Sequence, residues 1–100
     1  MKVVNHKGGH YRIHLDKYTN GDRTSLQLFD IETGELAYTC TVNVPEMPLM
    51  NHMVIIKDYS ENEGILKSLV KALIVQPTGQ TIAMGFVEGH ICHLLINKSL

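Results

Sequence analysis

Residues 35–44 read Glu-Leu-Ala-Tyr-Thr-Cys-Thr-Val-Asn-Val, with Leu36, Tyr38, Cys40 and Val42 alternating with Ala37, Thr39, Thr41 and Asn43. A period of two sends successive side chains to opposite faces, so the stretch predicts one half-buried strand from Glu35 to Val44. Its first set faces a core; its second is small, mostly polar and outward. Just upstream, Asp30-Ile-Glu-Thr-Gly-Glu35 reads as a type I turn closed by a left-handed Gly34 with a bulge. The strand before it, Ser25 to Asp30, carries Leu26 and Leu28 on one face and Phe29 on the other. Earlier still, Tyr11, Ile13 and Leu15 alternate with His10, Arg12, His14 and Asp16, a further strand. Asn20-Gly21 between those two strands is a hairpin signal, because both residues tolerate positive φ.

Downstream, Pro45 and Pro48 break the ladder, since neither donates a backbone hydrogen bond. Met53 to Lys57 is a short apolar run that reads as a more central strand. Ser60 and Glu63 then have the S-x-x-E spacing of a capping box, ahead of a helical stripe of Ile65, Leu66, Leu69, Val70 and Leu73. Pro77 is expected to stop that helix, because proline pushes the residue before it out of the helical region. Two last strands, about Thr81 to Val87 and His90 to Ile96, are expected to turn at Glu88-Gly89. The expected fold is α+β: an antiparallel sheet of about five or six strands with one helix packed on one face.

Composition narrows the function classes. A chain of 100 residues, 44% hydrophobic and 19% charged, is expected to form a single domain over residues 1–100 with a packed core. Nine Lys and Arg against ten Asp and Glu give a net charge of -1. That balance lacks the basic footprint of a generic nucleic-acid binder, and ten carboxylates are too few for an acidic DNA mimic. No apolar run has the length of a signal peptide or a membrane span, which makes the cytoplasm of a bacterial host the expected location. Cys40 and Cys92 are then expected to be free, buried thiols.

No catalytic or metal constellation stands out. His10 and His14 share a strand face but lie about 13 Å apart at roughly 3.3 Å per residue, too far for one metal. His90 and Cys92 face one way and His93 the other, which also disposes of a Cys92–His93 thiolate pair. Ser25, Ser60, Ser68 and Ser99 lack nucleophile-elbow glycines. Asp58, Glu61 and Glu63 read as favourable charge at a helix start. No phosphate loop is present around Gly79 or Gly85, and the aromatics are not interleaved with basic residues. The expectation is no catalytic residue, no cofactor and no metal ligand.

The stretch from Leu26 to Glu46 resembles a small domain-of-unknown-function family of phages, plasmids and mobile elements. The resemblance is carried by Asp30, Gly34-Glu35, Thr41-Val42-Asn43-Val44-Pro45, Ile56-Lys57-Asp58, Pro77-Thr78-Gly79 and Gly85-Phe86, and spans about residues 24–95. The arginines and Ser-Gly-Phe tail frequent in that family after Pro-Thr-Gly are replaced here by Gln80, Thr81 and Ala83-Met84, so the basic character of that edge is missing. The resemblance implies no activity; it implies an accessory protein that acts by binding.

The expected function is therefore a non-enzymatic interaction protein of a phage or mobile element. One form of it is an anti-CRISPR-like inhibitor that blocks a bacterial defence effector by protein binding. The alternatives are a nucleic-acid-associated accessory protein and a small metal-dependent enzyme. The expected protein-binding residues are Thr39, Thr41 and Asn43, on a flat outward face open to a partner protein or, through homodimerisation, to a second copy of the chain. Strand addition at an unpaired edge is the expected route.

Overall fold

In the computed structural model, which describes residues 2–19, 23–50 and 52–96, the antiparallel α+β class holds but the layers differ. Strands β1 (Val3–His6), β2 (Gly9–Lys17), β3 (Thr24–Asp30) and β4 (Leu36–Thr39) make one four-stranded sheet in that order. Strands β5 (Thr41–Val42), β6 (Met53–Lys57), β7 (Val75–Met84) and β8 (Val87–Leu94) make a second, in the order β5-β6-β8-β7. The single expected sheet becomes two because the strand predicted from Glu35 to Val44 divides at Cys40. The Cys40 amide donates to Leu26 O of β3 at 2.8 Å, while its carbonyl accepts the Lys57 amide of β6 at 2.8 Å. One residue thus serves both sheets, and a bend of this kind is how a strand changes sheets at a corner.

The bend also changes which side chains are buried. Cys40 and Thr41 are consecutive and both buried, which strict alternation forbids in a single flat strand. Around this joint lies one apolar cluster: Val4 of β1, Leu26 and Leu28 of β3, Val54 and Ile56 of β6, Ile74, Val75 of β7, Cys92 of β8, and Ile65 and Leu69 of the helix. Leu26 and Leu28 face it as the sequence predicts, with Phe29 on the opposite face. The Asp30 turn also forms as expected: Gly34 is left-handed at φ 75°, its amide bonds to Asp30 O, and Asp30 Oδ1 accepts the Glu32 and Thr33 amides. The Asn20-Gly21 turn lies outside the described residues.

The helix, α1 (Ile65–Lys71), is shorter than its stripe suggests. Leu73 adopts a left-handed φ of 61° and is exposed, and the chain turns there into Ile74 and β7. Pro77 therefore does not stop the helix. It sits inside β7, a sheet edge, where a missing N–H need not cost a ladder bond. The last turn is also displaced: Met84 pairs with Val87 across Gly85-Phe86, and Gly85 at φ 72° suits the first central position of a two-residue hairpin. Gly89, expected in that turn, lies inside β8. A Cβ there would stand 2.4 Å from Ile55 Cγ2 and 3.0 Å from Met84 Cε, so this glycine permits close packing of three strands.

The capping box does not form either. Ser60 opens a 3₁₀ turn, Ser60–Asn62, at a left-handed φ of 54°, and the residue before α1 is Gly64, which offers no side-chain cap. Asn62 explains the detour: it is buried, and its Nδ2 donates to Thr39 O at 2.7 Å, drawing the segment against the end of β4. The acceptor that reaches α1 is Asp58 Oδ1, at 3.4 Å from the Leu66 amide. Ser60→Ala is accordingly expected to move the urea unfolding free energy by no more than ~0.5 kcal/mol. A loss of ~1 kcal/mol would restore the capping role.

Candidate interaction surface

The register of the first sheet aligns a row of side chains on its outer face: Val3 opposite Arg12, Arg12 opposite Phe29, and Phe29 opposite Leu36. Directly opposed residues share a face, so the row crosses all four strands. Its two ends are apolar and open, with Val3 at 40% and Leu36 at 51% exposure. Arg12 lies over the Phe29 ring, 4.6 Å from its centroid, and His14 meets the same ring edge-on at 5.8 Å. Phe29 and Arg12 are half-buried, and among the described residues no ion pair engages Arg12. His10, tied to Asn5 Oδ1 through its Nδ1, lies on the same face. Exposed Ile31 follows in the turn after β3.

At the β1 end the row runs into a cleft of about 270 Å³ lined by Val3, Asn5, Ser68, Lys71 and Ala72. Beneath it His6 is 4% exposed, with Nδ1 2.8 Å from Ser68 Oγ and its ring edge-on to Tyr38. A serine–histidine pair beside a cleft has the parts of a nucleophilic site. Here His6 faces the serine through Nδ1, and its Nε2 is buried with no hydrogen-bond partner to orient the ring. The pair ties α1 to β1. Burial, helped by neighbouring Lys7 and opposed by Asp58, holds His6 below the usual histidine range.

The sign of the resulting pH effect follows from linkage. In the unfolded chain His6 takes up its proton at higher pH than in the fold, so stability is fully present above about pH 6.5 and falls as acid protonates the unfolded state first. Unfolding free energy measured between pH 7.5 and 5.5 is expected to decrease on acidification. In His6→Gln that slope should flatten. An equal slope in both proteins would place the titration elsewhere.

The residues expected to bind a partner are placed differently by the fold. Thr41 is 3% exposed: its Oγ1 accepts the Leu26 amide at 3.2 Å and pairs with the Tyr18 hydroxyl at 2.7 Å. It therefore does not face outward, because the bend at Cys40 turns it into the joint between the sheets. Thr39 is half-buried in the outer-face row of His14 and Gln27, and Asn43 is half-buried beyond β5. The three do not make one flat face. The sheet edges are also poorly suited to strand addition: β1 has four residues and β5 two, β4 is bulged against β3, and β7 carries Pro77 and an irregular register to Thr81. Short, bulged or proline-bearing edges resist pairing with another chain.

Arg23 is committed to structure, donating to Val44 O at 2.6 Å and to Met47 O, which leaves Arg12 as the arginine of the open face. Cys40 and Cys92 are free and buried, as expected, and burial pushes their thiols up to about 12 and about 11. Neither is an activated nucleophile near neutral pH. Among the described residues no group of three or more His, Cys, Asp or Glu could hold a metal, and no helix is long and apolar enough to cross a membrane.

The row on the first sheet escapes sequence reading because it joins residues from four strands, of which β1 carries too short a pattern to announce itself. A scan against protein-family models, a search of curated proteins and a search of solved structures each found no match. The resemblance to the mobile-element family rests on its motifs alone.

Proposed function

We propose that this chain is a non-enzymatic interaction protein that binds a partner protein on the outer face of its first sheet. The observation that carries the reading is the row Val3, Arg12, Phe29 and Leu36: apolar at both ends, with an arginine fixed over an aromatic ring at its centre. Arginine and aromatic residues are the side chains that most often anchor protein interfaces. With Arg12 at the centre of the row and Lys71 in the adjoining cleft, charge complementarity asks for an apolar partner surface carrying carboxylates. The motif resemblance supplies the setting, a phage or mobile element, and makes a host defence effector the partner in this reading. A nucleic-acid partner is less well supported, since the net charge is -1 and Arg23 is engaged internally.

The test compares affinity capture from the native host by the parent chain, Arg12→Glu, Leu36→Asp and Phe86→Ser, after nuclease treatment. The expected result is one protein, acidic at its contact surface, captured by the parent and by Phe86→Ser but lost with Arg12→Glu and Leu36→Asp. Equal capture by all four chains would overturn the reading. So would capture that vanishes with nuclease, or a Leu36-dependent homodimer that excludes any other partner.

A further inference from the structure

The chain rejoins the second sheet at His52, whose carbonyl accepts the Leu94 amide at 2.7 Å, and Met53 then pairs with His93. These two backbone fixings bring together imidazoles 41 residues apart in sequence. His52 Nε2 lies 2.9 Å from His93 Nδ1, with the ring planes within 8° of each other, on the exposed surface. One N–H donates to the other ring's lone pair, so the two nitrogens share a single proton.

We propose that His52 and His93 form a bidentate site for a divalent transition-metal cation of tetragonal preference, Cu(II) first among them. Imidazole nitrogens bind such metals at about 2.0–2.1 Å. Two nitrogens 2.9 Å apart then subtend about 90° at the metal by that bond length. That is the cis angle of a square-planar or octahedral centre, and a small opening to about 3.3 Å on ring rotation would reach the tetrahedral one, so the pair spans the chelating range. The affinity order of divalent metals for nitrogen ligands also peaks at Cu(II). Binding replaces the shared proton, with each ring tilting about its Cβ–Cγ bond so that both lone pairs converge. No third His, Cys, Asp or Glu joins the pair among the described residues, so water completes the coordination. Neither His90 nor Cys92 can help: they pair with Ile56 and Val54 elsewhere on the ladder, and Cys92 is fully buried.

The test is calorimetric titration of the chelator-treated, untagged chain with CuSO4 and with ZnCl2 at pH 7.5, with electron paramagnetic resonance of the copper form. The expected result is one Cu(II) per chain with two nitrogen ligands, bound at least about tenfold more tightly than Zn(II). It should be lost in His52→Gln and in His93→Gln and kept in the double variant His10→Gln, His14→Gln. Copper should also raise the Tm of the parent and of the His10/His14 variant only, and uptake should fall in acid as protons compete for the rings. Absent uptake, uptake unchanged by His52→Gln, loss in the His10/His14 variant, or zinc binding tighter than copper would each overturn the proposal. Melting of the metal-free variants with the parent's cooperativity confirms that each substitution tests the site rather than the fold.

Discussion

Thr41→Glu is expected to abolish cooperative folding at 25 °C or to remove more than ~4 kcal/mol of stability. Thr41 sits at the joint of the two sheets, 3% exposed, and its hydroxyl accepts the Leu26 amide and pairs with the Tyr18 hydroxyl. A carboxylate there would be buried without a cationic partner, and the longer side chain would force β3 from β5. Isolated charges in a core are among the few single changes that cost this much. Thr41→Ser, which keeps the hydroxyl, should lose no more than about 1 kcal/mol. Thermal melts followed by circular dichroism distinguish the cases. A Tm within a few degrees of the parent for Thr41→Glu would mean that residue 41 faces solvent and that the strand from Glu35 runs straight.

Leu69→Ala should cost about 3 kcal/mol by the usual range for a buried leucine. A helix of seven residues has no stability of its own. It is held by Ile65 and Leu69, both fully buried in the cluster that joins the sheets, and by the Ser68 bond to His6. Truncating Leu69 leaves a cavity in that cluster, while the backbone bond from the Ile74 amide to Leu69 O at 2.9 Å is kept, so the loss reads the side chain's packing alone. Val70→Ala, at a 37% exposed position of the same stripe, should cost less than ~1 kcal/mol. Urea denaturation checks the contrast; equal losses at the two positions would mean that the helix packs by a different face.

Local chemistry was legible where it was self-contained. The Asp30–Gly34 turn, the Leu26/Leu28 face and the buried cysteines follow from a few adjacent residues, and the structure keeps them. Errors arose where a local pattern is shared by two global arrangements. Residues 35–44 alternate without interruption, yet Cys40 carries one hydrogen bond to each sheet, and no residue type at that position announces a corner. The stripe from Ile65 to Leu73 has helical spacing, but Leu73 ends the helix in a left-handed conformation that glycine or asparagine would have signalled. Of the glycines near the last turn, Gly85 makes the turn and Gly89 makes room for Ile55. The sequence contains both and does not rank them.

The outer-face row and the histidine pair lie further from sequence. Val3, Arg12, Phe29 and Leu36 meet only once strand order and the β-bulge between β3 and β4 are known. His52 and His93 meet only because a loop returns to the end of β8. Positions with no shared local period cannot be paired by periodicity. Alternation groups Thr39, Thr41 and Asn43, and the fold disperses them.

Binding on the outer face of the first sheet is open to direct measurement. It is tested most directly by amide and methyl chemical-shift mapping of the labelled chain, free and saturated with its captured partner. The largest shifts are expected on Val3, Arg12, Phe29, Ile31 and Leu36, spreading into the cleft at Ser68 and Lys71, with Phe86 and β7 unchanged. Shifts centred on the Gly85-Phe86 hairpin, with the Val3–Leu36 row silent, would contradict it.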